Sequence, residues 1–461
     1  MRTRRDVAGL TLGDPSSAET DEWHPVLDTY ARGVRLMKDL DVQEPPVPES
    51  WAWAANTHGI EATTDPRPAW AQCAHQSLFF LPWHRAYLAW FEATIRRLTG
   101  EDDWALPYWD YAAPSTDRSL PSEFAVQTRT VNGTPEDNPL FSPDRSPDPI
   151  PADDVDVTFA LGQARYVIEM ERGFGGVLPD RFDGAVELLP HNFVHGDIGG
   201  DAGLMRSTTT AAQDPIFWLH HSNIDRLWEV WLSLEGSVRL TDLGAAPGAL
   251  VTQWQSSTFW FGDEQSPTTY PMDAVENLGV EPMDYRYESI ELPSAVADAV
   301  TEIREAALAA AGGGMALDDT RPALEPVAAT FDLPSGEERD VAFEQQPLGL
   351  DDAPPSRLVL ELAGTTATDP HAAYVVEIRS SPEAPSHVAG RFSTFGLAGT
   401  PAEEVRNYLV DATAVLPELL EEGWSGGQLT VRVVPEAGRS DSEDESRSIR
   451  VGQVTVYVAP A

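Results

Sequence analysis

Apolar positions in the first 260 residues recur with a helical period. "DTYARGVRLMKDL", "HRAYLAWFEATIRRL" and "DPIFWLHHSNIDRLWEVW" each place apolar side chains three and four apart, the spacing that buries one face of a helix. Long proline-rich loops run between such segments, for example over 114–154. From 291, "LPSAVADAVTEIREAALAAAGGGMALDD" reads as a short helix and then a glycine linker. Beyond 325 the period drops to two in "VAATFDL", "RLVLELA", "AYVVEIRS", "QLTVRVV" and "IRVGQVTVYV". One helical stretch, "AEEVRNYLVDATAVLPELLEEG", interrupts these strands, and "SDSEDESR" at 440–447 reads as a solvated hairpin loop. The pattern predicts a mainly α N-terminal domain over 1–290, a helical bundle with long loops. A linker follows over 291–324, then a small β-sandwich over 325–461.

Composition narrows what such a chain can do. Its 461 residues are 42% hydrophobic, enough for packed cores, and no run approaches the ~20 apolar residues of a membrane span. "VAGLTLG" near the N-terminus is too short and glycine-broken for the apolar region of a signal peptide. The expected compartment is therefore cytoplasmic, with export by a partner left open. The single Cys73 excludes an internal disulfide and fits a reducing compartment. A net charge of −43 argues against nucleic acid or an anionic membrane as partner. Lys38 is the one lysine among 31 basic residues, a bias expected equally of a GC-rich genome and of adaptation to high salt.

Histidine carries the candidate chemistry. Eight of the ten histidines and 13 of the 14 tryptophans precede residue 261. His191 and His195 stand four apart in "HNFVH", so a helix would turn both rings to one face. His75 and His84 are nine apart and would converge only if His75 precedes the helix that contains His84. His58 lies 17 residues before His75. His220 and His221 are adjacent in an apolar helix, where an imidazole is costly to bury without partners. No carboxylate at ligand spacing and no cysteine but Cys73 accompanies them, against a di-iron bundle or a structural zinc site. An all-imidazole set suits zinc, copper, iron or nickel.

"CAHQSLFFLPWHRAYLAWFE" at 73–92, "ALPYWDY" at 105–111, "HNFVHGDIGG" at 191–200 and "DPIFWLHHSNIDRLWEVW" at 214–231 together resemble the type 3 copper proteins: tyrosinases, catechol oxidases and molluscan-type haemocyanins. The resemblance runs from about residue 3 to a Tyr-x-Tyr pattern in "DYRYE" at 284–288. More weakly, "VAGRFSTF" and "GQLTVRVVPEAG" are similar to the C-terminal domain of plant polyphenol oxidases. The resemblance implies two copper ions as cofactors, O2 as co-substrate and small phenols as substrates, with an o-diphenol oxidised to an o-quinone and a monophenol first ortho-hydroxylated. Copper A would take His58, His75 and His84; copper B would take His191, His195 and His221, with His220 lining the pocket. Cys73 would form a thioether to His75. Glu187 and Asn192 would hold a water that takes the proton of an incoming phenol, and Gly196 would leave one flank open.

Trp83, Trp218, Trp228, Trp231 and "ALPYWDY" are expected to be packing, and Arg85 and Asp225 a buried ion pair or contacts behind the ligands. His24, His371 and His387 fall outside every motif. The resemblance further implies a tail that covers the pocket, with Phe392 or Phe395 as the plug and activation by cleavage within about 296–325. An o-aminophenol oxidase and a haemocyanin-like oxygen carrier would share the ligands, and a zinc hydrolase could also use histidine triads. Oligomeric state is not assigned by the sequence.

Overall fold

The computed structural model describes residues 1–19, 22–43, 46–60, 67–113, 118–242, 248–310, 324–342, 355–368, 373–397, 405–424, 428–436 and 448–459. His371, most of the glycine linker and the "SDSEDESR" loop lie outside the described residues.

Five helices frame the first part: α1 (Pro25–Asp39), α2 (Trp51–His58), α3 (Phe80–Thr99), α4 (Phe193–Gly199) and α5 (Pro215–Ser233). Local chemistry sets their ends. Ser50 caps α2 by accepting from the Trp53 amide at 3.2 Å, and Asp214 caps α5 by accepting from Ile216 at 3.0 Å, with Pro215 in the first turn. Gly100, left-handed at φ 74°, ends α3. Helix α3 packs against both α1 and α5. Trp218 of α5 stacks on Phe91 of α3 at 3.5 Å, and Trp83, Trp228 and Trp231 are buried, so the expected packing role of these tryptophans holds.

A buried charge cluster ties α3 and α5 to both ends of this part. Strand β1 (Arg2–Arg4) pairs in parallel with β2 (Tyr285–Tyr287), the segment carrying the Tyr-x-Tyr pattern. Asp225 of α5 receives Arg85 Nε at 2.5 Å and Arg4 Nη1 at 3.1 Å, and the hydroxyls of Tyr285 and Tyr287 donate to it at 2.6 and 2.5 Å. Arg4 also pairs with Glu92 at 3.2 Å, and Arg85 with Glu229 at 2.7 Å. Burial alone would raise the Asp225 carboxyl, but Arg85 and Arg4 hold it below its ordinary value.

The stretch assigned to a linker begins with a docked helix, α6 (Ser294–Ala310), longer than the short helix expected. Val300 is buried, and Arg304 donates to the carbonyls of Leu161 and Glu235, each at 3.0 Å, which fixes α6 to the first part.

The tail is two four-stranded antiparallel sheets. With β3 (Glu325–Pro334), β4 (Glu338–Ala342), β5 (Arg357–Thr368), β6 (Ala373–Arg379), β7 (His387–Ser393), β8 (Arg406–Asp411), β9 (Gln428–Pro435) and β10 (Ser448–Ala459), the orders are β4-β9-β6-β7 and β8-β5-β10-β3. Alternating Val431 and Val433 of β9, Val376 and Ile378 of β6 and Val454, Val456 and Val458 of β10 fill the core between the sheets. The helical stretch expected over 402–423 is corrected here. Arg406–Asp411 is a strand, with Leu409 opposite Glu361 of β5, and only Leu416–Glu421 after it is α-helical.

Candidate metal centre

Each histidine reaches the site by a different local device. His58 is the last residue of α2, and His84 stands one turn into α3. His75 precedes α3 in a loop whose next residue, Gln76, is left-handed at φ 51°. This is the convergence that the nine-residue spacing required. Upstream of α4, Pro190 disfavours helix at the preceding residue, and Leu189 is extended at φ −142°, ψ 121°. The chain re-enters helix at His191, so the rings of His191 and His195 meet at 4.6 Å.

Two groups of side chains result, each with its ligand atoms within 4.8 Å of one another. His58, Cys73, His75 and His84 form the first; His191, His195, His220 and His221 form the second. The groups face each other, with the rings of His84 and His221 stacked at 4.2 Å and 8°. Nδ1 of His58, His84 and His195 lies 2.8–2.9 Å from the carbonyls of Thr208, Phe80 and Met205. A carbonyl only accepts, so each Nδ1 carries the proton and each Nε2 presents its lone pair to the site, that of His84 lying 3.3 Å from Cys73 Sγ and that of His195 3.2 Å from His221 Nε2. His191 Nδ1 is held in the same way by Asn192 Oδ1 at 2.8 Å. Burial pushes all seven imidazoles below their ordinary value, His58 to about 4, so they are neutral bases. The Nε2 atoms of His58 and His191 are buried without a hydrogen-bond partner. A native interior rarely tolerates such orphans, and a bound cation resolves them. The residues therefore fit a metal that accepts neutral nitrogen ligands.

His220 is nearer this centre than a pocket-lining role required. It belongs to the second group, its Nδ1 lies 3.1 Å from the Tyr111 hydroxyl, and its Nε2 is buried without a hydrogen-bond partner. Tyr111, expected only to pack, is thus a polar contact of the site. Cys73 Sγ lies 3.2 Å from Nδ1 and 3.6 Å from Nε2 of His75, so it faces the ring carbon between them. Burial raises the Cys73 thiol and keeps it protonated.

Glu187 is fully buried; Oε1 accepts from the Gln76 amide at 2.7 Å, while Oε2 has no hydrogen-bond partner. Burial first, then the neighbouring Asp183 charge, raises its carboxyl well above the usual range. Gly196, expected to open one flank, is itself buried.

The tail closes over the second group. Ser393, Thr394, Phe395, Gly396 and Leu397 turn back on themselves, with the Leu397 amide donating to the Thr394 carbonyl at 2.8 Å. Gly396 takes φ 85° at the third turn position, which glycine favours, and its missing side chain leaves room for the Arg406 guanidinium. The turn lays the Phe395 ring on His195 at 3.8 Å and 12°, edge-on to His75 and His191 at 5.4 Å each. Phe392 instead packs in the sandwich core, 4.1 Å from Tyr408. His24 caps α1, and His387 pairs with Glu422, both away from the site.

The family model described as the common central domain of tyrosinase matches residues 48–168 and 163–234, the span that holds both histidine groups. Over that span the chain is similar to the type 3 copper proteins. The chain is 28% identical to tyrosinase HcTyr1 of Hahella sp. (strain CCB-MM4) over 99% of each chain. It is also 28% identical to polyphenol oxidase II of Ipomoea batatas, over 57% of this chain and 47% of that one, so it spans about half the length of that plant relative. Among solved structures, latent apple tyrosinase shares the fold over 100% of this chain and 97% of its own, at TM-score 0.60 and 19% identity. The tyrosinase from Burkholderia thailandensis does so over 100% of both chains, at TM-score 0.57 and 15% identity. No helix among the described residues is long and apolar enough to cross a membrane.

Proposed function

We propose that this protein is a type 3 copper phenol oxidase that uses O2 to convert o-diphenols to o-quinones, that it also ortho-hydroxylates monophenols, and that the tail holds it latent. The observation that carries this reading is the pair of facing groups of neutral imidazoles, buried except for the half-buried His75, with Phe395 over the second. His58, His75 and His84 would hold copper A; His191, His195 and His221 would hold copper B. Bound copper supplies the electron transfer between phenol and O2. The carbonyls of Thr208, Phe80 and Met205 fix the direction of three ligand rings, and Asn192 fixes that of His191.

A phenol has a pKa near 10 and binds a metal best as phenolate, so its proton has to leave. Glu187 would take it through a water shared with Asn192. Its raised pKa brings it nearer the phenol's than an ordinary carboxylate's, which favours the transfer. His220, anchored by Tyr111, would shape the pocket beside copper B. Cys73 Sγ, facing the His75 ring carbon, would lock that ring through a thioether. The S–C bond forms with loss of the thiol hydrogen and the ring C–H hydrogen, and O2 accepts the two electrons. Intact mass of copper-loaded, oxygen-exposed protein should be two hydrogens short; a full mass removes the crosslink.

Phe395 lies where a phenol ring would have to stack on His195, so the intact chain should be weak on phenols. Because α6 runs to Ala310 and is held to the first part at Val300 and Arg304, the cut that releases the tail belongs in 311–323. Limited proteolysis there, followed over time on catechol and tyrosol, should raise turnover severalfold. Tail-free protein that keeps both coppers and gains nothing would end the latency reading.

A further inference from the structure

The tail meets the site at two places besides the plug, and both are next in sequence to a group histidine. Gln76 follows His75. Its carboxamide spans the main chain of Asn407, Nε2 donating to the Asn407 carbonyl at 2.6 Å and Oε1 accepting from the Asn407 amide at 3.3 Å. Strand β8 is the edge strand of its sheet, and this two-point contact satisfies edge groups that another strand would otherwise pair. On its other side, the Gln76 main-chain amide donates to Glu187. Asn192 follows His191, and its carbonyl accepts from the Ser393 hydroxyl at 2.9 Å. Ser393 also receives the Phe395 amide at 3.2 Å, so one hydroxyl orients the plug and grips the wall.

We propose that the tail is anchored by these wall contacts and blocked open or shut by Phe395 separately, with Gln76 as the positioning residue that couples release of the tail to Glu187. The proposal rests on the lid reading above and adds how the lid is held. A phenylalanine on a buried imidazole excludes a ring-shaped substrate, but it fixes neither register nor direction. The Gln76 carboxamide does both, because its donor and its acceptor match one residue of one edge strand. Gln76 is also a non-glycine residue in a left-handed conformation, a state that persists where contacts on both sides define it. Losing Asn407 removes one of those sides and frees the residue whose amide holds Glu187.

The test uses the full chain with a specific protease recognition sequence placed within 311–323. After cleavage, size-exclusion chromatography follows how fast the tail separates. Gln76→Met keeps the packing volume and removes both hydrogen bonds to Asn407 together with the weaker one from Nε2 to Asp183 at 3.4 Å; it should speed release at least tenfold over the parent and raise hydrogen exchange at the amide of residue 76. Phe395→Ala should leave release within twofold of the parent, while catechol turnover of the uncut chain rises. Gln76→Leu, which has neither donor nor acceptor and a differently branched shape, should release as fast as Gln76→Met and guards against a packing artefact. Release from Phe395→Ala as fast as from Gln76→Met would make the plug the anchor and overturn the proposal. So would parental release from both Gln76 variants. Separation is read from size alone, so absence of catechol turnover in tail-free parent protein would sink the oxidase reading without touching this result.

Discussion

Asn192 shows how one side chain can carry more than its motif suggests. The sequence resemblance gives it a shared water with Glu187, yet its carboxamide oxygen is already occupied by His191 Nδ1 at 2.8 Å. The side chain holds the His191 ring, whereas its share in proton transfer is the proposal above, so the two residues should respond differently to substitution. Glu187→Gln keeps the shape and removes the base, so monophenol turnover should fall at least tenfold more than catechol turnover. Asn192→Ala should lower both, because His191 loses the carboxamide that holds its ring, a change that commonly costs ~10–100-fold in metal affinity or activity. Rates on tyrosol and catechol, with copper content measured alongside, check both outcomes. Equal losses for Glu187→Gln on the two substrates would remove its proton-handling role.

The helices that present the histidines are held by charge more than their apolar patterns disclose. Asp225 lies one turn beyond His221, and Arg85 directly follows His84, so their 2.5 Å contact fixes how α3 and α5 cross behind the site. Asp225→Asn would leave Arg4 and Arg85 short of a buried countercharge, which costs ~3–5 kcal/mol. The same contacts set a direction with pH. The Asp225 carboxyl is lowered on folding, so its stabilisation is present above the unfolded carboxylate range and is lost as pH falls through the folded value. Denaturant titration of the variant at neutral pH should show the loss, with the difference from the parent narrowing in acid. An unchanged midpoint at neutral pH would mean the cluster contributes nothing to stability.

The ion pair, the buried tryptophans, the helix phases and the strand-rich tail were all legible in sequence, because each follows from spacing or residue type. Tertiary pairing overrode local pattern at Arg406–Asp411, where helix-forming neighbours gave way to a partner in β5. The extended backbone at Leu189, ahead of Pro190, was not read from the sequence.

Across the whole molecule, the two parts meet around the histidines, and this is where sequence had least to offer. Gln76, Tyr111 and Ser393 lie inside motifs that gave them no polar role, and Asn407 lies outside them; they matter through partners up to 331 positions away. Phe392 and Phe395 were indistinguishable as plugs until the turn at Gly396 sent one to the sandwich core and the other to His195. Rim ion pairs extend the contact: Arg391 with Asp154 at 2.5 Å, Arg181 with Glu361 at 2.6 Å and Arg357 with Glu171 at 3.1 Å. The arginine of each pair is partly exposed, but Asp154 and Glu361 are buried, so these pairs join the polar wall contacts and the plug in defining the closed arrangement.

Copper stoichiometry per chain, measured on the copper-reconstituted parent, His221→Ala and His220→Ala, addresses the central assignment most directly. All three need checking for intact fold, because each ring is buried. Two, one and two coppers are expected, with catechol turnover of the tail-free protein lost only in His221→Ala and substrate preference altered in His220→Ala. Two zinc ions and no copper in the parent would contradict the account, as would loss of a copper from His220→Ala with His221→Ala fully loaded.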